Sequence, residues 1–449
     1  MKTRTISSKD IFKTMRFDGS YHNADVNVYS GVIERHSEQR LKFYCTEIFT
    51  SGRNKRVYTS EAFGYPFLSN SDVVSANPFL SCKYSSKKYG YDEKALLKKG
   101  MILTGRVGAI GQTAFVPEYL EKAKAMGSDN IIRICVKPEY QNGFIYAYLA
   151  SRVGNLSFWK HATGGVQPFI TDAMVGELPI PKFPDEFQEE VDDLIQESAR
   201  LREEAADALK KAHDIIEEKF GVASEKKSSR VSIQSIISSH NTRFEAFYHT
   251  SSNRSVYDYI TSNFEYKTLG ELTSNIFRPG IFKREYVANG VTFLGGADIL
   301  MAIPDSDKKL SYRQVERMPE LKVKKNWILV TCGGTIGNTV LIDAQLEKCV
   351  ISQHVMRVVP KDDILKGYLF AVLSSKIGKD LITMFTTGSV IPQIEAHHLE
   401  LVPVPLLDKG LMEQIDGLVS SYVTKIEESK QKEIAAINMV EAEIEKWNN

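Results

Sequence analysis

The chain has 449 residues, 43% hydrophobic and 25% charged, too long for a single core and in keeping with a soluble protein of two to four domains. No run of 18 apolar residues suggests a membrane span, the basic N-terminus lacks the apolar stretch of a secretory signal, and five scattered cysteines without a CxxC pair support neither a zinc ribbon nor a disulfide framework, so reduced cytoplasmic thiols are expected. Net charge is +1, yet residues 1–184 carry +9, 185–220 carry −8, 228–407 carry +3 and 408–449 carry −4. Two basic blocks, each followed by an acidic segment, suit a polyanion that meets the blocks and is kept from the acidic segments, although at +3 the second block also reads as ordinary solvated surface.

In chain order, the first block opens with Arg16-Phe17-Asp18 and Tyr21-His22 and continues as mixed strand and loop. Apolar strands then flank a Gly-rich turn in ILTGRVGAIGQTAFV, Ile102 to Val116. Ser128 and Arg133 follow, the arginine inside the apolar run IIRICV, where a structural ion pair is expected. A short helix is expected over 144–154, then the turn at Thr163-Gly164 and an exit through Pro179 and Pro181, which hold the chain extended until a helix can start. That helix spans the 36 residues 185–220. Its seam runs through Phe187, Val191, Leu194, Ser198, Leu201, Ala205, Ala208, Ala212 and Ile215 in the alternating spacing of a coiled coil. At 1.5 Å per residue the rod is roughly 54 Å long. Gly221 and the polar run SEKKSSR close it as cap and linker.

The whole plan then recurs. Arg243-Phe244-Glu245 with Tyr248-His249 repeats the entry, and Ile328 to Ile342 repeats the Gly-rich turn. Ser352 and Arg357 repeat the buried arginine, 368–378 the short helix, and TGSVIPQIEAHHLELVPVP (Thr387 to Pro405) the exit, through Pro403 and Pro405. The ordered copies, offset by 224 to 227 residues, mark a tandem duplication. A second helix over about 409–447 shows Ile415, Leu418, Tyr422 and Ile426, then Ile434, Ile437, Val440, Ile444 and Trp447, with a polar break from Glu427 to Glu433. The two stripes are expected to pack antiparallel on each other; packing of each helix on its own globular unit is the alternative. The fold class is thus α+β, with two tandem-repeated globular domains separated by two long antiparallel coiled-coil-like helices. The boundaries fall at 1–184, 185–227, 228–407 and 408–449.

Catalytic signatures are sparse. There is no P-loop, and Gly105, Gly108 and Gly111 read as a turn and not a dinucleotide loop. Asn77-Pro78-Phe79 lacks the second proline of an amino-methyltransferase loop and has no cofactor loop with it. Asp305, Glu320 and Lys322 fit the permissive PD…ExK pattern of metal-dependent nucleases without a counterpart in the other repeat. His397-His398 reads as a surface pair. No metal site and no catalytic residue is assigned. Two similar units on helices of set length form a ruler able to place two readers on successive turns of DNA, about 34–36 Å apart. A coiled-coil scaffold without nucleic acid is the remaining alternative.

The entry motif, the I-L-x-x-x-x-G-x-I-G turn, the Thr-Gly-x-Val exit into P-x-P and the acidic helix after each repeat together resemble the specificity subunit of type I restriction-modification systems. The resemblance covers essentially the whole chain. It implies a non-catalytic subunit with two target-recognition domains, each reading half of a bipartite site in double-stranded DNA. It also implies two spacer helices that dock two methyltransferase subunits and a restriction-translocase subunit. S-adenosylmethionine would belong to the methyltransferase partner, and ATP and Mg to the restriction partner. Candidate DNA-binding residues, chosen for forked or cationic side chains, are Arg53, Lys55, Arg56, Lys83, Lys87, Lys88 and Arg106, interleaved with Tyr58, Tyr84 and Tyr89. In the second unit they are Arg278, Lys283, Arg284, Arg313, Arg317 and Asn338. Most are expected to meet phosphates, which position the protein without reading sequence. Candidate partner-binding positions on the helices are Phe187, Val191, Leu194, Leu201, Ile215, Ile415, Tyr422, Ile426, Ile437 and Ile444.

Overall fold

The computed structural model describes residues 5–15, 21–22, 24–53, 55–164, 167–221, 231–239, 242–244, 248–249, 252–388 and 392–447. Arg16-Phe17-Asp18, Glu245, the SEKKSSR linker and the tips of both Thr-Gly turns lie outside the described residues. The chain divides into two compact units, 1–203 with 428–449, and 204–427. Each unit therefore owns one half of the long helix Asp185–Phe220 and one half of the long helix Lys409–Lys446.

In the first unit a four-stranded antiparallel sheet runs Cys45–Thr50, Ile131–Val136, Ile102–Gly105, Thr113–Phe115. A smaller sheet joins Tyr58–Thr59, Lys83–Ser86, Gly64–Leu68 and Met126–Gly127, the last pair parallel. The second unit repeats the main sheet as Thr273–Phe277, Val355–Pro360, Ile328–Thr331, Thr339–Leu341. Its smaller sheet has Lys309–Leu310, Tyr286–Leu294 and Val350–Ile351, again closing on a parallel pair. In both units the P-x-P exit pairs antiparallel with a short strand from the start of the unit, Pro179–Ile180 with Gln39–Arg40 and Pro403–Pro405 with Tyr266–Thr268. Proline tolerates these two-stranded ladders because each has a free edge.

The short helix expected over 144–154 is two helices, Asn142–Ala150 and Arg152–His161, as are its counterparts Lys366–Ser374 and Lys376–Met384. A serine breaks each pair: Ser151 Oγ accepts from Gly154 N at 3.1 Å and Ser375 Oγ from Gly378 N at 3.1 Å, restarting the helix as an N-cap. The glycines are required, since a Cβ there would lie 2.1 Å from Tyr148 O or 2.0 Å from Val372 O.

The long helices dock by a device that the apolar pattern does not reveal. Asp192 Oδ1 accepts from Gly143 N at 2.6 Å and Asp416 Oδ1 from Gly367 N at 2.7 Å. Each carboxylate thereby satisfies an orphan amide in the first turn of the helix it meets. The seam is also wider than a heptad stripe. Val191, Leu201, Ala205, Ala208 and Ala212 are buried as expected, but so are Ile195, Leu209, Ile216 and Phe220. The extra positions are buried because each helix half covers its own unit's core as well as the other helix. In the first unit Phe183 packs tilted against Trp447 and Ser198 Oγ bonds Ser429, so the halves run antiparallel.

The polar break in the second helix does not interrupt this packing. Glu433 is buried, salt-bridged to Arg202, and accepts from Tyr146 Oη at 2.5 Å, while Ser429 and Lys430 are buried beside it. This packing also corrects the partner-binding positions. Val191, Leu201, Ile415, Ile426 and Ile444 are buried in the chain's own cores, and Phe187, Leu194, Ile215, Tyr422 and Ile437 pack half-buried against them. Five of the ten are thus covered by the chain itself, and the other five keep part of their surface exposed.

Candidate nucleic-acid interface

Strand order gathers four loops at one end of each main sheet. In the first unit they are the segment after Thr50, the turn before Ile131, the Gly-rich turn after Gly105 and the Thr163 hairpin. In the second they follow Phe277, precede Val355, follow Thr331 and include the Thr387 hairpin. The Gly-rich turns share a pair of left-handed glycines: Gly108 and Gly111 have φ of +75° and +76°, and Gly334 and Gly337 +77° and +85°. That left-handed pair three residues apart explains the glycine spacing.

Each Thr-Gly hairpin closes on itself and on the Gly-rich turn. Thr163 N donates to Phe169 O at 2.9 Å and Ile170 N to Arg106 O at 3.0 Å; Thr387 N donates to Gln393 O at 2.8 Å and Ile394 N to Cys332 O at 3.1 Å. The threonine amides are thus engaged within the protein. The entry motif serves the same corner. Arg243, buried, donates to Phe385 O and Thr386 O at 3.2 and 2.8 Å, just before the hairpin.

The turn before the central strand is held by the repeated arginine, and here the structure corrects the expectation of an ion pair. Arg133 is fully buried and donates to four carbonyls, Ser128 O (3.4 Å), Ile131 O (2.8 Å), Ala95 O (3.1 Å) and Gly127 O (2.5 Å). Arg357 does the same with Ser352 O (2.9 Å), Val355 O (2.6 Å), Leu321 O (3.2 Å) and Ile351 O (2.5 Å). Burial lowers both guanidinium pKa values to about 10. The fork geometry of arginine matches four carbonyls that no carboxylate needs to join.

Around these frames lie most of the sequence-chosen residues. Arg56 Nη2 donates to Asp129 Oδ1 at 2.5 Å, and Arg53 lies 3.5 Å from the other oxygen. Lys55, exposed, lines the same cleft with Arg56, Phe67 and Asp129. Arg106 is half-buried and held through its backbone, its amide on Asn130 O. Next to this end, the smaller sheet carries cations over rings: Lys83 over Tyr58 (4.8 Å), Lys87 over Tyr65 (5.4 Å), Lys88 over Tyr89 (5.2 Å). Lys124 over Tyr65 (5.6 Å) is a member that residue choice missed. Tyr89 is exposed, whereas Tyr84 is half-buried, and burial raises its hydroxyl pKa. Such cation–aromatic faces suit a phosphate backbone and base faces alike.

In the second unit Arg278 places one nitrogen 2.6 and 2.8 Å from the two Glu395 oxygens, and Arg284 donates to Gln353 Oε1 at 3.3 Å. Lys283 is exposed, and its carbonyl holds Gln314 on the helix that exposes Arg313 and Arg317. Asn338 is a correction. It is 1% exposed and accepts from Lys379 Nζ at 3.0 Å, so it is structural and not a reader of bases. His398 is likewise buried, its ring nitrogen accepting from Glu395 N, so only His397 of the expected surface pair is exposed. Asn77 caps its own turn through Phe79 N, with Pro78 buried. Asp305 Oδ1 accepts from Ser306 N, and among the described residues no group of three or more His, Cys, Asp or Glu is placed to hold a metal ion. Residues overlooked in the sequence are Asp129, Asn130, Gln353 and His354, which occupy the arginine-held turns between Ser128 or Ser352 and the strand.

Residues 257–438 match the family model described as Type I restriction modification DNA specificity domain. Among solved structures, the S subunit of a type I restriction-modification system from M. genitalium is 14% identical, covering 91% of this chain and 95% of that one, with a TM-score of 0.34. The HsdS subunit from Thermoanaerobacter tengcongensis is 16% identical with coverages of 91% and 95% and a TM-score of 0.28. No curated protein matches the chain. No helix among the described residues is long and apolar enough to cross a membrane.

Proposed function

We infer that this chain, whose residues 257–438 match the type I restriction modification DNA specificity domain, is the non-catalytic DNA sequence-recognition subunit of a type I restriction-modification system. One observation carries the reading to both halves of the chain. The same frame of Gly-rich turn, Thr-Gly hairpin and arginine-held turn is built twice, each time with basic side chains at its rim. Segments 1–184 and 228–407 each read one half of a bipartite site in double-stranded DNA. Exposed lysines and arginines set the protein on phosphates, so affinity falls steeply with salt, while forked side chains in the grooves read base edges.

The complex holds two methyltransferase subunits and a restriction-translocase subunit in the cytoplasm. S-adenosylmethionine binds in the former, and ATP and Mg in the latter. With their apolar stripes largely covered, the long helices offer partners their exposed acidic faces, Glu189, Glu190 and Asp193 on the first and Glu413 on the second. The test is to co-express the chain with its methyltransferase in a host free of adenine methylation and to sequence the methylome. A split motif with two fixed halves and a constant gap is expected. Methylation without such a motif, or equal methylation without this chain, refutes the function.

A further inference from the structure

Beyond its shared frame, each unit holds a surface arginine in the same two-sided setting, built from residues far apart in the chain. In the first unit the Arg56 guanidinium lies over the Phe67 ring at 5.7 Å, and its Nη2 is bound by Asp129. In the second unit the Arg284 guanidinium lies over the Phe293 ring at 5.5 Å, and its Nη2 is bound by Gln353. The supports correspond strand by strand. Phe67 pairs with Met126 in the parallel pair of its small sheet, and Phe293 with Val350 in the other. The next residue, Leu68 or Leu294, accepts from the amide of Ser128 or Ser352 at 2.9 Å in both units. Asp129 and Gln353 come directly after those serines, in the turns that Arg133 and Arg357 hold through four carbonyls.

Three of the four supporting groups are closely covered, the Asp129 side chain being 12% exposed, Gln353 5% and Phe293 4%, while Phe67 is half-buried. The arginines are not enclosed, the Arg56 side chain being 47% exposed and Arg284 at the surface. A guanidinium fixed on one face by a ring and on one nitrogen by an acceptor loses little rotamer freedom when it binds. It presents the remaining donors of its fork in a set plane. In the major groove guanine alone offers two adjacent acceptors, O6 and N7, to such a fork; adenine puts a donor beside its N7. An exposed lysine or an unsupported arginine is less selective, because it adapts equally to a phosphate.

We propose that Arg56 and Arg284 each read one guanine, one in each half of the bipartite target, with Asp129 and Gln353 as the residues that position them. The proposal rests on the specificity-subunit reading. Its test uses the full chain assembled with its methyltransferase subunits and duplexes in which each base of the target is varied singly, methylation being measured for every variant. Arg284→Ala should lower the preference for guanine at one position of one half-site by roughly 10- to 100-fold, leaving the other half-site as in wild type. Arg56→Ala should do the same in the other half. Arg284→Lys keeps the charge and should still lose the preference, and Gln353→Ala should weaken it at that same position. An unchanged base preference overturns the proposal. So does a loss that is uniform over all bases, which marks a phosphate contact. If the wild-type complex methylates no bipartite site, the specificity-subunit reading itself fails, a result distinct from both.

Discussion

Replacing Arg357 with methionine removes the guanidinium and keeps much of the apolar stem. Four carbonyls, at 2.5 to 3.2 Å from the guanidinium nitrogens, lose a charged donor in a site with no exposed surface. An unsatisfied buried acceptor costs about 1–3 kcal/mol, and because Ser352 O still accepts from Val355 N at 3.3 Å, the loss falls on the other three carbonyls. Against it stands the relief of no longer burying a cation. The fall of the Arg357 pKa from 12.5 to about 10 puts that burial at about 3 kcal/mol. The net expectation is a destabilisation of about 1–5 kcal/mol for Arg357→Met, concentrated in the second unit. Urea unfolding of the full chain, with hydrogen exchange followed at Ile328–Thr331 and Val355–Pro360, measures it. Arg357→Lys, which lacks the planar fork, should fall between the variant and wild type. A loss below about 1 kcal/mol with exchange of the 351–355 turn unchanged would show that the cage is not what holds this turn.

Two further outcomes follow from groups inside the cores. His213 is packed against Ser374, its Nε2 2.9 Å from the hydroxyl, and burial lowers its pKa to about 4. The unfolded chain protonates this imidazole near pH 6.5, so the stability it contributes is complete above that pH. It is lost as pH falls towards 4, by up to about 3 kcal/mol; denaturation curves across this window should flatten in His213→Gln, and an identical pH slope would exclude the group. Arg202→Ala strands Glu433 beside Tyr146 and should cost about 3–5 kcal/mol by calorimetry, whereas Arg202→Met with Glu433→Leu should recover most of it. A single-variant cost under about 1 kcal/mol would mean that water reaches the carboxylate.

Much of the architecture was legible because it is periodic or duplicated. A helix of 36 residues announces itself through about eight turns of repeating, mostly apolar positions, and the structure ends it at Phe220, one residue before Gly221. A duplication leaves matched residues at a near-constant offset, and Gly108 and Gly111 keep the backbone angles of Gly334 and Gly337. Residue type, by contrast, does not disclose which surface will cover a side chain. Asn338 has the chemistry of a base reader, but Lys379 and the core enclose it. The apolar stripes of the long helices suit a partner equally well on paper, yet each helix half covers the chain's own cores.

The sequence by itself therefore determined the two-fold plan, the lengths of the helices and the pairing of basic blocks with acidic segments, since each is written in local spacing or charge. Only the tertiary structure decided what those blocks build. Arg56 meets Phe67 and Asp129, and Arg284 meets Phe293 and Gln353, because strand pairing joins segments separated by up to about 70 residues. The carbonyls that cage Arg133 and Arg357 are backbone atoms common to every residue, so no pattern of side chains could announce them.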